Sequence, residues 1–131
     1  VVIERELREI VLGPLEGLSH EQVKARFPEV WKAWTKTPGD LRLEGMEPLE
    51  EVQKRILSLM MRWHLNHENE TFAAVTHMAV LRCTLLRSMG RPLNDYRKID
   101  VPNATEFVFE ANEKKSDDCL NLKLVKEVHA V

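Results

Sequence analysis

In the stretch AAVTHMAVLR, Ala73 to Arg82, a histidine stands between two different patterns. Before His77 runs TFAAVT, a short and nearly all-apolar segment that reads as a strand covered on both faces. After it, Met78-Ala79-Val80-Leu81 opens a helical pattern. A histidine at the C-terminal end of a buried strand stands where α/β folds place their ligands. The backbone N–H groups of the helix start, those near Met78 and Ala79, suit an anion. An imidazole beside them can hydrogen-bond a phosphate or transfer a proton. The competing reading is structural, with His77 capping the strand end and bonding a nearby carbonyl.

Glu47 is the second candidate. In LEGMEPLEEV it follows Gly45 and immediately precedes a long helical pattern. A carboxylate there can cap the helix N-terminus. It can also face the same crevice as His77 and serve as a general acid or base. HLNH sets His64 and His67 three apart, but no third ligand stands nearby, so no metal is expected. No Walker-type loop, no CxxC and no GxSxG occurs in the sequence, and no cofactor is expected.

These residues need elements to position them. Ser19, with Gln22 three residues on, predicts a capped helix that ends before Pro28. A second short helix follows, starting at Pro28, with Trp31 and Trp34 on one face; two indoles there read first as packing anchors. From Pro48 onward Leu49, Val52, Ile56, Leu59, Met60 and Trp63 fall at helical spacing, with Glu50, Glu51, Lys54 and Arg55 between them. The segment MAVLRCTLLRSM predicts another helix, with Gly90 in the C-terminal cap position and Pro92 just beyond. TEFVFEA and LNLKLVKEV alternate apolar and polar residues around the polar NEKKSDD, the pattern of a hairpin. Helices, a buried strand, a helix and two more strands make an α/β chain with a mixed sheet.

The 131 residues suit one domain with a real core. A net charge of −2, from 19 basic and 21 acidic residues, gives no pull toward nucleic acid or an anionic membrane. No apolar run is long enough to span a bilayer, and the charged first ten residues are no signal peptide. Cys83 and Cys119 are expected to stay reduced. Together these features predict a cytoplasmic protein.

Five stretches, in this order, resemble the histidine phosphatase superfamily, the phosphoglycerate mutase-like proteins: LREIVLGPLEGL from Leu7 to Leu18, FPEVWKAW, GMEP, VTHMAVLR and VPNATEFVF. The resemblance implies that Glu47 is the acid/base carboxylate. It implies that His77 is the second active-site histidine, contacting the transferred phosphoryl group with the backbone N–H of Met78 beside it. Glu16 and Gly17 would fall near the pocket mouth.

The family's nucleophile is the histidine of an Arg-His-Gly motif at the end of its first strand, with the arginine holding the phosphate. None of His20, His64, His67, His77 and His129 follows an arginine. The family's second phosphate-clamping arginine lies upstream of LREI. Met78 also replaces a glycine where backbone must approach phosphate, Leu15 replaces a tryptophan, and Met46 and Pro48 flank Glu47 in place of glycine and serine.

The implied architecture is a single truncated phosphoglycerate mutase-like three-layer α/β domain over residues 1–131. It has a mixed sheet and a C-terminal hairpin and lacks its N-terminal strand. The implied function is a catalytically incomplete histidine-phosphatase-like domain that keeps weak binding of phosphate or a phosphorylated small molecule. Loss of a central strand leaves open sheet edges, so a homodimer that covers them is expected. Two alternatives stand beside this reading. One is part of an active phosphomonoesterase or phosphoglycerate mutase-type enzyme completed by a missing segment. The other is a non-enzymatic α/β interaction domain.

Overall fold

The computed structural model describes residues 1–113 and 120–129. Its first helix, α1 (His20–Arg26), starts where the sequence says it must. Gln22 N–H donates to Ser19 Oγ at 3.2 Å, and Ser19 N–H donates to Gln22 Oε1 at 2.8 Å. Two otherwise orphaned donors are thereby satisfied. Helix α2 (Pro28–Lys36) follows directly, with proline at its first position. Its two indoles act as packing anchors. The Trp31 ring lies 5.4 Å from His20 and under the Arg97 guanidinium, and Trp34 lies 5.3 Å from Tyr96. They tie the α1–α2 pair to the turn at Leu93–Lys98.

The core forms around the long helix α3 (Leu49–Asn66). Leu49, Val52, Ile56 and Leu59 are its buried stripe, spaced so that all four share one face. Against it packs α4 (Met78–Ser88), which buries Ala79, Val80, Cys83, Thr84, Leu85 and Leu86. The α4 C-terminus is closed by a Schellman motif: Gly90 N–H bonds Arg87 O at 3.2 Å and Arg91 N–H bonds Leu86 O at 2.9 Å. Gly90 takes the left-handed conformation, φ +63, that this ending requires.

The C-terminal hairpin is present as well. Strand β1 (Glu106–Glu113) pairs antiparallel with β2 (Leu120–Val128), with a register shift between Val108 and Phe109. Leu120 and Leu122 face inward and are buried, while Asn121 and Lys123 face out. Strand β2 lies against α4 and α3. The α/β class therefore holds. Among the described residues the ladder contains these two strands alone. Cys119 and most of the polar turn between the strands lie outside the described residues.

The segment TFAAVT differs from its sequence pattern. Residues 71–77 form neither helix nor ladder, and all but Thr76 are exposed; Val75 is 91% exposed and Phe72 51%. An apolar run of this kind is buried only when strands flank it on both sides, and among the described residues none does. Phe72 makes an edge-on contact with Trp63 at 5.0 Å.

Two outcomes test this core. Leu59 has no exposed surface, so Leu59→Ala is expected to cost about 2–5 kcal/mol in urea unfolding. Cys83 is fully buried, and burial pushes its thiol up to about 12 against the opposing charge of Arg55. In a Cys119→Ser background, a thiol reagent is expected to label Cys83 only as fast as the protein unfolds.

Candidate functional site

His77 is the N-cap residue of α4, extended at φ −117 and ψ 169. Its side chain makes no capping hydrogen bond, and the residue is exposed. The ring is thus not used to finish the helix. Met78, the first helical residue, is 42% exposed. The exposed histidine and the first helical residue stand together at the surface.

A third group completes the cluster, and sequence reasoning did not single it out. Glu9 Oε1 accepts from Ala79 N–H at 3.2 Å and from Ile10 N–H at 2.9 Å. The carboxylate therefore sits at the positive end of α4, where its charge is favoured. A second bond brackets the pair: Thr76, the residue before His77, donates its hydroxyl to Leu7 O at 2.7 Å. With Leu7 fixed to Thr76 and Glu9 fixed to Ala79, the two chain segments run side by side through Arg8 and His77. The signal in the sequence was LREI itself, whose glutamate lies inside the motif. What the sequence cannot display is a contact across seventy positions.

Glu47 has other partners. It does not cap α3, whose N-cap is Pro48. Its carboxylate meets Arg55 in a fork: Nε donates to Oε1 at 2.7 Å and Nη2 to Oε2 at 3.3 Å. Val11 N–H donates to Oε2 at 3.3 Å, and Arg8 Nη2 stands 3.7 Å from Oε1. Both side chains of the fork are only 11% exposed. Burial by itself pushes the Glu47 carboxyl up. The hydrogen bonds from Arg55 and Val11, with the charges of Arg55 and Arg8, outweigh it and hold the carboxyl below its usual value. Of the residues singled out from sequence, the structure brings His77 and Met78 together at one helix end and places Glu47 in a buried ion pair.

His67, the second histidine of HLNH, bonds Glu70 through Nδ1 at 2.9 Å. Among the described residues no group of three or more His, Cys, Asp or Glu is placed to hold a metal ion, and no helix is long and apolar enough to cross a membrane.

Comparison with known proteins fixes the class. The family model of the histidine phosphatase superfamily (branch 1) matches residues 1–118, and the chain belongs to that family. It is similar to phosphoserine phosphatase 1 of Hydrogenobacter thermophilus, with 25% identity over 88% of this chain and 55% of that enzyme. It is 31% identical to phosphoglycerate mutase-like protein 4 of Arabidopsis thaliana over 83% of this chain and 46% of that protein. Among solved structures, Bacillus stearothermophilus YhfR superposes with a TM-score of 0.77 at 25% identity, over 83% of this chain and 55% of that one. The chain thus spans about half the length of these relatives.

The state of Glu47 has a pH signature. A carboxyl held below its ordinary 4.5 adds stability above that pH and loses it as the pH falls through the lowered value. Glu47→Gln is expected to cost about 2 kcal/mol at pH 7. The gap from the native protein should stay constant down to about pH 4.5 and close below it, as read by urea unfolding from pH 7 to pH 3.

Proposed function

We propose that this chain carries one side of a phosphomonoester site, in which His77, the N–H of Met78 and the carboxyl of Glu9 face a phosphoryl group. The observation that carries the reading is the placement of Glu9 at the N-terminus of α4 beside an uncapped, exposed histidine. The imidazole and the N–H of Met78 are donors for phosphoryl oxygens. Glu9 stands where its carboxylate can accept a proton from an attacking water. It takes the acid/base role that the resemblance alone gives to Glu47. Relatives named as phosphatases of phosphoserine and of 2-carboxy-D-arabinitol 1-phosphate support a small phosphorylated metabolite as the ligand.

On its own the 131-residue unit binds and does not turn over. Phosphoryl transfer by this family's route needs a histidine nucleophile and cationic groups around the equatorial oxygens, and no Arg-His-Gly occurs in the sequence. One structural observation favours completion by a further strand, from a missing segment or a second copy. Residues 1–3 and 72–75 are apolar and exposed, Ile3 at 89% and Val75 at 91%. Both lead toward the site through the Leu7–Thr76 and Glu9–Ala79 contacts. A strand lying between them would end beside His77. As the isolated unit, the chain self-associates through these edges.

The test is a titration with inorganic phosphate, followed by the His77 ring resonances in NMR. Saturable shifts are expected, lost in His77→Ala. Hydrolysis of p-nitrophenyl phosphate by the 131-residue protein is expected to stay at background. Turnover that vanishes in His77→Ala would overturn the incomplete-site reading, and an absence of phosphate-dependent shifts would overturn the binding one. Sedimentation is expected to show concentration-dependent association, reduced by Val75→Lys.

A further inference from the structure

We infer that the buried Glu47–Arg55 pair is the positioning device that holds Glu9 against the start of α4. This rests on the site reading above for its functional meaning, but its geometry is independent of any ligand. All three nitrogens of the Arg55 guanidinium donate, through four hydrogen bonds. Nε and Nη2 hold Glu47; Nη1 donates to the carbonyl of Glu6 and Nη2 to that of Arg8 at 2.9 Å. The intervening carbonyl, Leu7 O, is the one taken by Thr76. Three successive carbonyls ahead of Glu9 are therefore each fixed by a side chain, two by Arg55 and one by Thr76.

The residues after Glu9 are fixed by Glu47. Its N–H donates to Val11 O at 2.8 Å, while its carboxylate accepts from Val11 N–H. The pair thus grips the chain on both sides of Glu9, at Glu6 and Arg8 before it and at Val11 after it. Residues 5–7 and 13–15 form only single turns of 3-10 helix, so regular secondary structure does little to fix the segment between them. A planar fork that binds a carboxylate bidentately suits this task better than an ammonium point charge. Because both side chains are 11% exposed, the grip is little weakened by solvent. Glu47 and Arg55 touch no substrate in this scheme and act through Glu9.

The ligand-free test is the amide NMR signals of Ala79 and Ile10, the two N–H groups that bond Glu9. Glu9→Ala marks where these signals go when the carboxylate is absent. In Glu47→Ala, both signals are expected to move toward the Glu9→Ala positions. Arg55→Lys, which keeps the charge but cannot reach Glu47 and two carbonyls together, is the second variant should the first not fold. It is expected to move them the same way. Phosphate affinity, read at His77, should fall about tenfold in whichever variants fold. Folded variants that unfold at lower urea but keep native Ala79 and Ile10 signals would show a merely structural pair and overturn the inference. If the native protein binds no phosphate and the two signals still move, the positioning role stands and the phosphate reading falls.

Discussion

A carboxylate at the positive end of a helix is the contact around which this chain is organised. Glu9 lies seventy positions before the helix it meets, and its bond to Ala79 joins the beginning of the sequence to its middle. A helix start leaves several N–H groups without partners, and an acidic side chain there gains from both hydrogen bonding and the macrodipole. That contact fixes where the first segment runs. It brings Leu7 under Thr76, and it leaves His77 uncapped and turned to solvent. The core of α3 and α4 serves as the platform on which this contact is made.

The helices were legible because their signals are local. Ser19 and Gln22 wrote the start of α1, the stripe from Leu49 to Leu59 wrote the buried face of α3, and Gly90 wrote the end of α4. Each is a pattern of a few residues whose physics acts within one or two turns. The hairpin was legible for the same reason, from the alternation that buries Leu120 and Leu122. The run at 71–76 was not, because the burial of a strand depends on neighbours supplied from elsewhere. Its composition states a need for neighbours without saying who they are.

Part of the proposed site was legible in the sequence. His77 and Met78 could be found because a strand-like run and a helix start meet at them. Glu47 drew attention by standing before the longest helix after a glycine, and there its carboxylate is paired with Arg55. Glu9 had no local mark of its own among Glu4, Glu6 and Arg8. A charged residue in a charged neighbourhood is distinguished only by what it touches, and all the contacts that matter here are long-range ones. Membership in the histidine phosphatase superfamily is carried by the match over residues 1–118, whereas the roles proposed for the two carboxylates are argued from their hydrogen bonds.

Gly13 presses against the backbone of the other loop at Gly45. A β-carbon on Gly13 would collide with the Gly45 carbonyl, and Gly13 itself is left-handed at φ +56. Two loops that touch through bare backbone cannot drift independently. A residue inserted between Gly13 and Gly17, or between Leu43 and Met46, would lever Glu47 away from Val11. Length changes are absorbed instead where the chain stands clear of this junction, as around Glu68–Glu70 beyond the end of α3, where the residues are exposed. The junction divides the surface into a part where new recognition loops can be grafted and a part whose spacing is frozen by the side chain missing at Gly13.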